Sequence, residues 1–508
     1  MLHKSSNVTE YLLEGKEGSQ CALQFLRHDC SYGELRARSA QIARSLFGKG
    51  VPGDRAVLIG ENSAFWVSAY LGIMRAGLVC VPLPASVKAN DLDHILRITE
   101  ARIVFAQVGF AARHAQSLAG LHLMTDGETA DLPGVASLES ASAVFSAAPE
   151  SRCDWPQHGP DDLAALMFTS GSTGQPRGVM VSHSNIIANT ESIIESLCLT
   201  KSDRIMTVLP FHYCFGTSLL HTHLRVGGSL VVDSRFMYPE TVLQRMIETE
   251  CTGFAGVPSH FQILLRASSL NKKKFPRLRY VQQAGGRLAP SFVAELRQAL
   301  PATKVYVMYG QTEATARLSC LPPELLDEKL GSIGKGLPGV KLRVLDESGR
   351  DVYPGEVGEI VATGENVTMG YWSAPEESAS SFRSGNLYTG DLATVDEDGF
   401  IYIVDRAKDF LKCGGERISC GKLEEQLLEF EELLEAAVIG IPDPVLGEAA
   451  KAFVVPRVRD GAGFMERVER FCRERLPPRL VPRQIVVVAT LPKNSAGKVS
   501  RTELSVLS

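Results

Sequence analysis

Residues 163–185 constrain this chain more than any other stretch. An apolar run at 163–168 stops at Thr169-Ser170-Gly171-Ser172-Thr173-Gly174, and a second apolar run, 179–181, follows Arg177. Ser184 then reads as the N-cap of a helix carrying Ile186, Ile187, Ile193 and Ile194. Glycines in such a loop let backbone N–H groups turn inward toward a polyanion, and the hydroxyls donate further hydrogen bonds. The pattern is that of a phosphate cradle. It is not a Walker A loop: no Gly-Lys-Ser/Thr closes it, and its flanks read strand–loop–strand where that loop opens a helix.

Upstream, Ser31 and Glu34 form a capping box that opens a helix with Leu35, Ile42 and Leu46 on its apolar face. Short apolar strands at 56–59, 78–81 and 103–106 alternate with helices at 65–74 and 92–98. That order predicts an α/β fold with a mainly parallel sheet covered on both faces. A chain of 508 residues exceeds what one core holds, so at least two domains are expected. Its 53 basic and 58 acidic residues leave a formal charge of −5, which offers no field for nucleic acid. The first residues lack the apolar core of a signal peptide, and no apolar run is long enough to span a bilayer. A cytoplasmic protein with no stable membrane insertion is expected. The 11 cysteines show no CxxC spacing and read as reduced thiols.

Further motifs follow in order. In residues 207–223, His212, Cys214, His221 and His223 lack the paired short spacings of a closed zinc site and read as pocket wall and packing residues. The strand ends at 254–258 and 280–287 fall where open α/β sheets bind ligands, and Gly285 and Gly286 let the backbone approach one closely. Residues 305–313 run from a strand into Tyr309-Gly310-Gln311-Thr312-Glu313, which offers an aromatic face, a hydroxyl and a hard oxygen ligand. Residues 334–339 match GxGxxG, but Pro338 and the strand-like 340–344 deny it the required helix. Asp391, Tyr402 and Arg406 fall in a β-rich region. Beyond Arg406 the composition shifts: 408–418 is charged and glycine-bearing, and 423–434 reads as an acidic amphipathic helix. Strands at 437–439, 452–455 and 485–488 and a helix at 464–476 make a small α+β unit, with Lys498 in a Gly/Ser loop after it.

Taken in this order, the motifs resemble those of the adenylate-forming superfamily, which holds acyl-CoA synthetases, peptide-synthetase adenylation domains and luciferases. The resemblance covers nearly the whole chain. It implies a large N-terminal domain, residues 1–407, of mixed, mainly parallel sheets with helices plus a β-rich subdomain. A small mobile α+β domain, 408–508, would carry the catalytic lysine. The implied activity is ATP-dependent conversion of a carboxylic acid to an acyl-adenylate with release of pyrophosphate, then transfer to the thiol of coenzyme A. Loading of an acyl, imino or amino acid onto the phosphopantetheine arm of a separate acyl carrier protein stays open, and a light-emitting oxygenase shares the motifs. A nucleotide-binding regulator without turnover would lack Lys498, Glu313 or Thr312, and all three are present.

Carried onto this sequence, the resemblance assigns Lys498, Thr312, Glu313 and His212 to catalysis, with Glu313 and Thr169 toward Mg²⁺. The phosphate set is Thr169, Ser170, Gly171, Ser172, Thr173 and Gly174, with Arg177 where the family carries lysine. Gly285, Gly286 and Tyr309 would meet adenine and Asp391 the ribose, with Arg287, Gly310 and Gln311 also in the cofactor-binding set. Tyr402, Arg406, Lys408 and Gly415 complete the cofactor-binding set, with Lys408 as the pivot. Amino-acid-activating relatives place an Asp soon after the Phe of the pocket segment, and residues 211–218 hold none. A buried ammonium would lack its partner there, so a non-amino acid is expected. Prolyl-type activators can lack that Asp, which keeps an imino acid open. Phe215, Gly216 and Ser218 are expected near the substrate, and Gly216, Gly256, Ala284 and Gly285 suggest an apolar pocket of some depth.

Overall fold

The structure is a computed structural model. It describes residues 7–128, 132, 134–146, 155–156, 159–170, 176–406, 410–413, 416–444, 446–458, 463–494 and 497–506. Among these, the strands form four sheets.

The alternating helix–strand pattern near the N-terminus becomes a seven-stranded sheet. Its order is Ser137–Ser140, His122–Thr125, Ile103–Ala106, Arg55–Ile59, Val79–Leu83, Leu163–Ser170 and Pro176–Ser182. All its pairs are parallel except the last, where Leu163–Ser170 and Pro176–Ser182 run antiparallel on either side of the expected phosphate loop. A nine-stranded sheet holds the later motifs. Its parallel centre runs from Lys304–Tyr309 through Tyr280–Gln283, Gly253–Gly256 and Arg204–Thr207 to Ser229–Val232. One apolar core joins the facing sides of both sheets to the helices Tyr32–Ser45, Ala64–Arg75, His183–Leu197 and Cys214–Val226. Past the carboxyl ends of Lys304–Tyr309 and Tyr280–Gln283, Thr312 and Gly285 meet Cys214 and Tyr213 at the start of Cys214–Val226, the end of the sheet at which open α/β folds bind ligands.

A five-stranded antiparallel sheet built from Lys341–Leu345, Gly358–Thr363, Phe382–Arg383, Asn386–Val395 and Ile401–Arg406 forms the β-rich subdomain. Residues 335–336 and 341–345 are strands, so the GxGxxG match carries no helix, as its Pro338 requires. The small C-terminal sheet runs Glu416–Ser419, Phe410–Cys413, Gly447–Pro456 and Leu433–Asp443, with Gln484–Val487 added in parallel to Gly447–Pro456. Leu423, Leu427 and Leu433 of this unit share a core with Phe261, Leu264 and Phe292 of the large one. No helix among the described residues is long and apolar enough to cross a membrane.

Among the element boundaries that differ from expectation, two have a clear local cause. The helix after the phosphate strands begins at His183, capped by Ser182: its Oγ accepts from Asn185 N while Asn185 Oδ1 accepts from Ser182 N. Ser184 instead bonds Ser182 through its hydroxyl, because only Ser182 has a reciprocating Asn three residues on. The acidic helix ends at Leu428, and Leu433 already belongs to the strand Leu433–Asp443. The helical periodicity of 423–434 could not register the backbone pairing that takes over there, Leu433 opposite Pro456.

Candidate active site

The Thr169-to-Arg177 hairpin is built as its sequence implies. Thr169 pairs with Arg177 and Ser170 with Pro176, so both strand ends meet at the loop; Gly171, Ser172, Thr173 and Gly174 lie outside the described residues. From the base of this hairpin Arg177 lies over the ring of Tyr371, 5.7 Å from its centroid. Tyr371 in turn donates its hydroxyl to Glu313 Oε1 at 2.8 Å. The phosphate hairpin and the Thr312-Glu313 turn are thus joined through a tyrosine that no sequence motif announced.

The turn itself is drawn tight. A Cβ on Gly310 would sit 2.0 Å from the Ala316 carbonyl oxygen, so only glycine fits. Thr315 closes the turn at φ +66°, a strained value for a residue with a Cβ. This geometry turns Thr312 inward, where its hydroxyl meets Cys214 Sγ at 3.4 Å on the first turn of Cys214–Val226. Glu313 keeps its second carboxylate oxygen without a hydrogen-bond partner among the described residues.

Lys498 arrives at the same place from the small unit. Asn494 folds the turn that carries it: Asn494 Oδ1 accepts from Lys498 N, and Asn494 N donates to the Lys498 carbonyl. Ser259 Oγ then ties the Gly497 carbonyl to the large unit at 3.2 Å. The Lys498 ammonium lies 5.4 Å from the ring centroid of Tyr213, and its Cε 3.5 Å from where a Cβ on Gly285 would stand. Gly285 has φ +85°, and that Cβ would also meet Tyr213 Oη and Val257 at 3.0 Å. Burial pushes the Tyr213 phenol up, and the Lys498 charge pulls it part of the way back. Sequence reasoning missed Tyr213, although it directly follows His212 in the pocket motif.

His212 is nearly enclosed, and burial pushes its pKa down to about 4, so it is neutral at pH 7. Its Nε2 has no partner among the described residues. The other histidines of this segment pack: His221 bonds the Tyr70 hydroxyl at 3.0 Å and His223 the Tyr280 hydroxyl at 2.9 Å.

A second cluster centres on Asp391, whose carboxylate is buried. Tyr309 donates its hydroxyl to Asp391 Oδ2 at 2.6 Å, and Arg406 Nε donates to Oδ1 at 3.1 Å. Tyr309 is thereby the link between the Thr312-Glu313 turn and Asp391. Gln311 leaves a buried Nε2 without a partner, and Gln283 Nε2 holds the Gly286 carbonyl at 2.7 Å, fixing the glycine turn. Two expected members stand apart. Tyr402 donates to Asp396, because a bulge in the pairing of Ile401–Arg406 breaks the alternation that would have set it on one face with Arg406. Arg287 reaches the Ile403 carbonyl and Glu425 of the small unit. Lys408 and Gly415 lie outside the described residues.

The glycines of the acyl pocket also differ from expectation. A Cβ on Gly216 would lie 2.1 Å from the Pro210 carbonyl oxygen, and one on Gly256 within 3.2 Å of His260, Phe254 and Phe261. Both are there for close packing and open no pocket. Between Cys214–Val226 and the nine-stranded sheet stands a buried, charged side chain, Arg317.

Two family models match the chain: "AMP-binding enzyme" over residues 15–372, and "AMP-binding enzyme C-terminal domain" over 422–498. Feruloyl-CoA synthase from an Amycolatopsis species is 33% identical over 479 residues, covering 93% of each chain. A 2-succinylbenzoate–CoA ligase from Geobacillus sp. (strain WCH70) is 31% identical over 445 residues, covering 86% of this chain and 89% of that one. Among solved structures, o-succinylbenzoate CoA synthetase from Bacillus subtilis, in complex with its acyl-adenylate intermediate, superposes with a TM-score of 0.84. It is 27% identical, with 98% of this chain and 97% of that one covered.

Proposed function

We infer from the membership of this chain in the AMP-binding enzyme family that it is an AMP-forming acid–thiol ligase. It uses ATP to convert a small carboxylic acid to an acyl-adenylate, releasing pyrophosphate, and passes the acyl group to coenzyme A. The observation that carries the reading is the convergence of Lys498 with Tyr213, Gly285 and the Cys214–Thr312 contact, from motifs far apart in sequence.

The chemistry explains why those groups are needed together. A carboxylate resists attack by a thiol because its leaving group would be oxide. In the first step a carboxylate oxygen bonds to the α-phosphorus and the bond to pyrophosphate breaks. Negative charge grows on the phosphoryl oxygens, and fixed positive charge and N–H or O–H donors stabilise it. We assign that work to Lys498, the Thr312 hydroxyl, Arg177 and the phosphate hairpin that begins at Thr169 and Ser170. Asp391 holds the ribose, positioned by Tyr309 and Arg406. Gly285, Gly286, Gly310 and Gln311 fit an adenine: the glycine turn is one a Cβ would crowd, and the Gln311 amide is a buried donor without a partner. The open oxygen of Glu313 suits Mg²⁺, a hard cation bound through one or two carboxylates together with phosphates. A Mg²⁺ ion held there supplies positive charge against the phosphate oxygens. His212, neutral at pH 7, offers its Nε2 to the acid at the pocket mouth.

In the second step a thiolate attacks the acyl carbon, the bond to AMP breaks, and the thiol proton passes to solvent. Lys498 is then in the way of a long pantetheine arm. The small domain, 408–508, turns as a body on Lys408 to withdraw it. The test is pyrophosphate release across a panel of acids, followed by thioester formation with coenzyme A or with a carrier protein bearing its phosphopantetheine arm. Acid-dependent pyrophosphate and acyl-CoA support the reading. Transfer only to the carrier protein would make the chain a loading enzyme, and no acid-dependent pyrophosphate would overturn it.

A further inference from the structure

Arg317 is 1% exposed, and its guanidinium sits between Cys214–Val226 and the strands Tyr280–Gln283 and Lys304–Tyr309. Its contacts are all neutral. Nη2 donates to Ser218 Oγ at 3.0 Å, Nη1 to Gln282 Oε1 at 3.3 Å, Met308 Sδ touches Nη1, and the group lies 4.6 Å from the Phe215 ring centroid. Among the described residues no carboxylate pairs with it. A buried cation without a counter-charge is costly, and one partner removed from a buried pair is among the more destabilising changes a protein suffers. Burial alone draws this guanidinium down to about 10, unusual for a side chain that is otherwise always charged. Beside it Gln282 leaves a second buried donor, Nε2, without a hydrogen-bond partner.

The position of this charge relative to the reacting centre is fixed by one helix. Cys214, whose thiol meets Thr312, and Ser218, which meets the guanidinium, are four residues apart on Cys214–Val226, ~6 Å along its axis. An acid held with its near carboxylate at Thr312 and Lys498 thus brings its other end to Arg317 after only a few carbons. We propose that Arg317 is the specificity-determining anchor of the acyl pocket, and that the acid activated is a short dicarboxylic acid, of about four to six carbons by that spacing, whose far carboxylate pairs with the guanidinium. The proposal rests on the ligase reading above. It also accounts for the missing acid in residues 211–218: a pocket already holding a bare cation repels an ammonium group.

The experiment measures pyrophosphate release by the full chain with acids matched in length: butyrate against succinate, pentanoate against glutarate, hexanoate against adipate, with benzoate as an aryl monoacid. The wild type, Arg317→Met and Arg317→Lys are compared. The expected result is a wild-type preference in kcat/KM for one diacid over its matched monoacid of ~30-fold or more, the usual scale for a buried charge pair. In Arg317→Met that preference collapses, mainly through KM for the diacid, while the monoacid gains; Arg317→Lys retains part of it. A wild-type preference for monoacids, or an Arg317→Met variant with the same diacid-to-monoacid ratio, overturns the anchor and leaves the ligase reading standing. If Arg317→Met does not fold, the wild-type ratio and the Lys variant decide. Pyrophosphate release with none of the acids counts against the ligase reading itself.

Discussion

Lys498 is held by a turn whose geometry is set by Asn494, and its ammonium faces the Tyr213 ring. In the role proposed for it, such a cation acts on charge that develops during phosphoryl transfer more than on bound ATP. Lys498→Ala is therefore expected to slow acid-dependent pyrophosphate release by about 100-fold or more, the range for losing one group of this kind. ATP binding should persist, as should thioester formation from supplied acyl-adenylate. Full pyrophosphate release by Lys498→Ala would remove the lysine from the mechanism. Glu313 is different, because its hydrogen bond from Tyr371 orients the carboxylate without neutralising it. Groups that orient a metal-binding carboxylate typically matter ~10–100-fold to metal affinity. Tyr371→Phe should raise the Mg²⁺ concentration for half-maximal pyrophosphate release by about 10-fold, with little change at saturating Mg²⁺. An unshifted Mg²⁺ titration would make the Tyr371 contact merely structural.

The helix Cys214–Val226 and its neighbours carry a cost that appears only on acidification. His221 and His260 are pushed down by burial to about 3, and His212 and His223 to about 4. In the unfolded chain each titrates near 6.5. Between those values the unfolded state binds protons that the native state refuses, so stability present above pH 6.5 is lost as pH falls toward 4. Each histidine costs about 1.4 kcal/mol per pH unit across that window. Urea midpoints should therefore be flat from pH 8 to 7 and drop steeply from 6.5 to 5; a midpoint level down to pH 5 would mean these rings protonate in the folded state. Much at this scale was legible beforehand. The hairpin around the phosphate loop, the Ser31–Glu34 capping box and the alternating strands of the first sheet are local patterns, and local physics decides them. The sequence places the cap on Ser184 and the fold on Ser182, because only Ser182 has Asn185 to reciprocate. What local pattern could not supply were contacts across the chain. Tyr371 on Glu313, Tyr309 on Asp391 and Arg317 on Ser218 join residues 58, 82 and 99 positions apart. The tight glycines Gly216 and Gly256 suggest room in the sequence and are close contacts in the fold.

At the scale of the whole molecule, the question is what holds the small unit where Lys498 can act. Arg266, on the helix Pro258–Arg266 of the large unit, is the chief fastener. Its guanidinium lies 4.0 Å from the Phe292 ring centroid and pairs with Glu295 at 3.1 Å. It also donates across the boundary, to the Leu433 carbonyl at 2.6 Å and the Leu428 carbonyl at 3.3 Å. Leu428 ends the helix Cys420–Leu428, so its carbonyl is one that the helix leaves open, and a cation there also meets the negative end of the dipole. Arg457 returns the contact by donating to the Arg266 carbonyl, and Arg287 with Glu425 makes an ion pair between the units. In the turn proposed above these bonds break, and they belong to the arrangement that brings Lys498 to Tyr213. Hydrogen bonds from a charged donor contribute ~1.5–3 kcal/mol each, enough to shift the balance between docked and turned states by an order of magnitude or more. Arg266→Ala should therefore slow the adenylation half-reaction by ~10-fold or more, measured as a single-turnover burst of pyrophosphate. Thioester formation from supplied acyl-adenylate and coenzyme A should hold its rate or rise, because the proposed turn releases the small unit for that step. Arg266→Lys, which keeps the charge but loses the planar fork, should fall between. Equal slowing of both half-reactions would mark Arg266 as a residue of the core alone, with no part in the choice between the two arrangements.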